Sequence, residues 1–188
     1  RQLGAIAFFY GDYTTAHRFD KQALLIFQEI GNLRGEADAL DALGSDMCEA
    51  GYRQQAIVYY EEALSIYKII GDQYGMCMNL GNFGQIYREL CDYGRATDAY
   101  TQGLEICRAI GDTRTEGWFL SGLGWVLLDQ GEYTGSFRTF EQAISICRGV
   151  AAHMDEIWAL SGLVLLFTLR GDHLTASENI QQVLHMAL

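Results

Sequence analysis

Apolar positions along the chain recur three and four residues apart. One segment carries Ala56, Tyr59, Tyr60, Ala63, Leu64, Tyr67 and Ile70, the spacing of a helix with one buried face. A second kind of segment carries Leu40, Leu43, Gly44 and Met47. Its pattern returns as Leu80, Phe83, Gly84 and Tyr87, then as Leu120, Leu123, Gly124 and Leu127, then as Leu160, Leu163, Val164 and Phe167. Matching residues are 40 apart. Turn signals keep the same period: Gly11-Asp12-Tyr13, Gly51-Tyr52-Arg53, Cys91-Asp92-Tyr93, Gly131-Glu132-Tyr133 and Gly171-Asp172-His173. A second series is Ile30-Gly31-Asn32, Ile70-Gly71-Asp72 and Ile110-Gly111-Asp112, with Val150-Ala151-Ala152 as its degraded copy. Where glycine is followed by Asp or Asn, the glycine ends one helix in the left-handed conformation and the Asp or Asn caps the next.

The pattern predicts two alternating helix types. A helices lie near 33–49, 73–90, 113–129 and 153–169, and B helices near 13–29, 53–69, 93–109, 133–149 and 173–187. Residues 1–10 match only the second half of an A helix, with Leu3-Gly4 aligned to Leu43-Gly44. The expected architecture is an all-α array of antiparallel hairpins, about four and a half repeats in one domain over 1–188. The partial copy is 1–30, followed by repeats 31–70, 71–110, 111–150 and 151–188. Arg1 reads as a cut point within a longer protein. Glycine inside a helix costs about 1 kcal/mol against alanine, so Gly44, Gly84 and Gly124 at one register predict close helix packing.

Composition narrows the function. The chain has 188 residues, no proline, 49% apolar residues and a formal charge of −11. Such acidity argues against nucleic acid, whose phosphates need clustered Lys and Arg, and against an anionic membrane surface. No run of about 18 apolar residues is present to span a bilayer. Cys48, Cys77, Cys91, Cys107 and Cys147 form no Cys-x-x-Cys pair and read as free, buried thiols in a reducing cytoplasm. His17, His153, His173 and His185 are scattered, so no metal site is expected. Ser121-Gly122-Leu123-Gly124 repeats a helical register and follows no strand, so it is no phosphate loop. No nucleophile is paired with a base. Neither an enzyme nor a cofactor is expected.

The repeat resembles the tetratricopeptide repeat in Leu80-x-x-Phe83-Gly84-x-x-Tyr87 and in Ala56-x-x-x-Tyr60-x-x-Ala63. The period here is longer than the usual unit of about 34 residues, and the closing proline is missing. This looks like the long-helix variety of Leu-Gly-Asn-repeat spindle adaptors, and is also similar to sensor regions of bacterial signalling ATPases. The first copy departs with Asp20 where an aromatic is expected; the last departs with Val164, Ile180 and Val183.

The resemblance implies a right-handed superhelix whose A helices line a groove that holds a protein or peptide. Carried over, the groove positions are Asp38, Asp41, Ser45 and Glu49; Met78, Asn82, Gln85, Arg88 and Glu89; Trp118, Ser121, Trp125 and Asp129; and Trp158, Ser161, Leu165 and Leu169. These rows run from acidic to aromatic, which predicts a partner with basic and apolar parts. Asp41, Gly81, Ser121 and Ser161 share one register, and none is basic, which argues against a clamp for a C-terminal carboxylate. The implied role is an interaction scaffold, with a sensor region of a multidomain signalling ATPase or transcription regulator as the alternative. The cut N-terminal end is expected to leave Leu3, Ile6, Phe8 and Phe9 without their usual neighbour, which suggests self-association through that end.

Overall fold

The computed structural model describes residues 2–187, and every element in them is a helix. The partial A helix is α1 (Gln2–Phe9). Full A helices are α3 (Leu33–Glu49), α5 (Gln73–Glu89), α7 (Thr113–Asp129) and α9 (His153–Leu169). The B helices are α2 (Tyr13–Glu29), α4 (Arg53–Ile70), α6 (Tyr93–Ile110), α8 (Tyr133–Gly149) and α10 (His173–Ala187). No helix among the described residues is long and apolar enough to cross a membrane.

The turns follow the expected chemistry. Asn32 Oδ1 accepts from the Gly35 amide at 3.0 Å, and Asp72 and Asp112 do the same for Gly75 and Thr115. Each cap satisfies one of the amides that a helix start leaves without a partner. The residue before each cap has positive φ at Gly11, Gly31, Gly51, Gly71, Gly111, Gly131 and Gly171. Cys91 and Ala151 take the same left-handed conformation, at φ 58° and 53°, with a side chain that disfavours it. Cys91 is exposed there, which corrects the expectation that all five thiols are buried; Cys48 is half-buried, and Cys77, Cys107 and Cys147 lie in the core.

The chain divides into two compact units, with the boundary falling within α5: one runs to Ile86 and the other starts at Tyr87. In the first, Ala37, Leu40, Ala63 and Tyr67 form a buried cluster with Leu24, Ile66 and Met76 against it. The Tyr60 ring fills the space that a side chain at Gly44 would need, and meets Phe83 edge-on at 5.7 Å. In the second, Tyr100, Phe119 and Phe140 are fully buried. Phe140 lies against Gly124, where a Cβ would fall 2.7 Å from the ring. The mid-helix glycines at this register therefore make room for the aromatic ring of the adjoining B helix, and burying that ring offsets their conformational cost.

Candidate functional site

Within each unit, A-helix residues one repeat apart meet side by side. In the first unit Asn79 Nδ2 donates to Asp41 Oδ1 at 2.7 Å, and Asn82 Nδ2 reaches both Asp41 oxygens at 3.2–3.3 Å. Tyr67 Oη donates to Asp38 Oδ1 at 2.9 Å. The hydroxyl of Ser45 lies 3.2 Å from the Asp41 carbonyl and 3.2 Å from Tyr60 Oη. Asp38, Asp41, Ser45, Met78 and Asn82 are half-buried, while Glu49 and Gln85 are exposed. A hollow of about 300 Å³ gathers Asp38, Asp41 and Met78 with Arg34, Tyr67 and Tyr74. The acidic rows are thus part of an internal hydrogen-bond network.

In the second unit the aromatic rows touch. Trp118 and Trp158, at the same register of successive A helices, have ring centroids 6.4 Å apart. Trp118 also meets Phe119 at 5.3 Å. Trp125 is held between neighbours: Phe140 meets it edge-on at 5.6 Å, and the Arg88 guanidinium lies 5.1 Å from its ring centroid. Arg88 Nε donates to Asp129 Oδ2 at 2.7 Å. All three tryptophans are half-buried, and Glu89, Asp129, Leu165 and Leu169 are exposed.

Ser121 departs from the expected row. It is fully buried, with its hydroxyl donating to the Gly117 carbonyl at 2.9 Å, so it offers no surface to a partner. The α7 segment around it, Gly117 to Gly122 and beyond, is buried almost all round. Ser161 is half-buried and likewise donates back to the Ile157 carbonyl at 2.8 Å.

Sequence reasoning missed a second acidic group, in the first unit. Asp20 and Asp46 are 2% and 1% exposed. They border a cavity of about 260 Å³ together with Asp38, Asp41, Ser45 and Phe8. Neither oxygen of Asp46 has a hydrogen-bond donor among the described residues. Loss of hydration and the nearby Asp20 charge push the Asp46 carboxyl up to about 7. His17 Nδ1 stands 4.0 Å from Asp46 Oδ2, and burial lowers the affinity of that imidazole for a proton, as does Lys21. The signal was present in the 40-residue register. Asp46 matches Ile86, Val126 and Leu166, and Asp20 matches Tyr60, Tyr100 and Phe140; those six are all core residues.

A family model described as tetratricopeptide repeat matches residues 1–69 and 53–109, and another with that description matches residues 118–151. No curated protein sequence matches the chain. Among solved structures it is similar to BtubC from P. vanneervenii, with TM-score 0.81 and 18% identity over 98% of this chain and 77% of that one. It is also similar to aspartyl phosphate phosphatase F from Bacillus subtilis, with TM-score 0.85 and 16% identity over 98% of this chain and 48% of that one. A Rap protein complexed with competence and sporulation factor gives TM-score 0.88 and 15% identity, over 98% of this chain and 52% of that one. The chain spans about half the length of these last two. At such identities the likeness concerns the fold.

Proposed function

Since the chain belongs to the tetratricopeptide repeat family, we propose that it is an interaction module that binds a peptide or helix of a partner protein on the exposed side of its A helices. One observation carries this reading. Side chains of the predicted contact rows touch those of the next row, as Asp41 does Asn82 and Trp118 does Trp158, so they form strips rather than scattered exposed residues. The strip in the first unit is acidic and the strip in the second is aromatic, and Trp is a frequent interface anchor. A basic segment of the partner meets the acidic strip, and an apolar segment meets the aromatic one. The role involves no chemical step.

Five free thiols support a reducing, cytoplasmic setting. A second reading is a sensor region within a longer signalling protein; the two similar structures that favour it, aspartyl phosphate phosphatase F and the Rap protein, continue well beyond the matched part.

The test is selection of binding peptides from a displayed library, followed by measurement with Trp118→Ala, Trp158→Ala and Asp38→Asn variants. Selected peptides should combine Lys or Arg with apolar residues, and each variant should weaken binding roughly tenfold or more with its helical circular dichroism intact. Unchanged affinity in all three folded variants would overturn the reading.

A further inference from the structure

The cavity beneath α1, α2 and α3 arises from two linked departures from the repeat. At the Asp20 register the next three copies place Tyr60, Tyr100 and Phe140; the Tyr60 ring fills the space over Gly44 of the preceding A helix, and the Phe140 ring does so over Gly124. Gly4 is the matching glycine, and Asp20 lies over it. An aspartate is far smaller than a tyrosine, so the slot stays partly empty and the cavity of about 260 Å³ results. The neighbouring core slot, filled by Ile86, Val126 or Leu166 elsewhere, holds Asp46.

A simple loss of packing would leave an apolar hole. Here two core positions carry carboxylates, one of them with both oxygens unpartnered among the described residues. Burying an unpaired carboxylate costs several kcal/mol or forces it to take a proton. Asp38, Asp41 and Ser45 at the cavity are partly exposed, while Asp20 and Asp46 are not. The cavity thus has an open rim and a carboxylate floor, with Phe8 as an apolar wall.

From this geometry we infer that the cavity receives one organic cation on an apolar stem: the Lys ammonium or Arg guanidinium of a bound partner, seated against Asp46. The stem packs against Phe8, and the head supplies the donors that Asp46 lacks. Among the described residues no group of three ligands is spaced to hold a metal ion, which favours an extended organic head over a bare ion. The groups facing Asp46 are Asp20, His17 and, behind His17, Lys21. None supplies the missing hydrogen bond, since His17 stands at 4.0 Å. The inference rests on the peptide-binding role in naming a partner side chain as the source of the cation.

The experiment separates the two claims. The Asp46 carboxyl carbon is followed by NMR while n-butylguanidinium or n-butylammonium is added to the full chain, with n-butanol as the uncharged control. Both cations should shift the Asp46 resonance and draw its titration midpoint down from about 7, and n-butanol should not. Asp46→Asn keeps the fold, having lost only a destabilising charge, and should weaken the cations roughly tenfold or more. Peptides from the selection are then compared with their Lys→Gln or Arg→Gln forms against both proteins. One basic position should lose its effect in Asp46→Asn. An Asp46 resonance that ignores both cations overturns the inference, and so does cation binding with no coupling to any peptide side chain. If instead the strip variants leave peptide binding intact while the cations still bind, the strips fail and the cavity stands.

Discussion

Asp46 shows how one buried side chain can trade stability for recognition. Its carboxyl titrates near 7 in the folded chain, against about 4 for an unfolded aspartate. The folded state therefore holds an extra proton between those values. Stability falls as pH rises through that window and is lowest above about 7. Asp46→Asn should leave stability unchanged near pH 3 and raise the melting temperature by several degrees near pH 8, the gain growing in between; a pH-independent shift would contradict this. A different residue-scale cost sits at Ala151, whose φ of 53° suits glycine. Ala151→Gly should stabilise by about 1 kcal/mol in urea unfolding. Cys91, exposed in the equivalent turn, should react with a maleimide in the native state, and Cys77, Cys107 and Cys147 only on unfolding.

At the scale of the helix, two kinds of glycine are distinguishable. Gly124 is where the Phe140 ring lies, with no room for a methyl group, whereas the space at Gly135 meets only Leu127 at 3.5 Å and beyond. Gly135→Ala should stabilise by about 1 kcal/mol through helix propensity. Gly124→Ala should destabilise by about 1–3 kcal/mol, because Phe140 is fully buried and has nowhere to retreat. Denaturant midpoints measured on both variants check the contrast. The same packing explains why the glycine register is retained in helices whose other residues favour helix.

At the scale of the molecule, the negative charge of −11 is spread over both units, and in the first of them Asp20, Asp38, Asp41 and Asp46 line one cavity. Binding of a basic peptide should accordingly slow with added salt, chiefly in its association rate. A separate apolar surface lies on α1, where Leu3, Ile6 and Phe9 are 59%, 54% and 85% exposed. Self-association through that surface is expected as a rise in mass by light scattering with concentration. Replacing Leu3 and Phe9 with serine should restore a constant monomeric mass.

Hairpin order and helix limits were legible in the sequence because turn chemistry is local. A left-handed residue marks each boundary, an Asp or Asn cap follows it at positions 12, 32, 72, 92, 112 and 172, and the 40-residue period repeats the message. Core positions were legible for the same reason, since a helix presents every third or fourth residue to its neighbour. The tertiary structure decided what the polar positions do. Sequence placed Ser121 on a contact surface, but packing buries it against Gly117. It placed Trp125 in the open, but Arg88 and Phe140 come from other helices to cover it. Asp20 and Asp46 are 26 residues apart in the chain, and only folding brings them to one cavity. Whether a carboxylate is solvated, bonded or stranded depends on what the neighbouring helices bring, and periodicity carries no information about that.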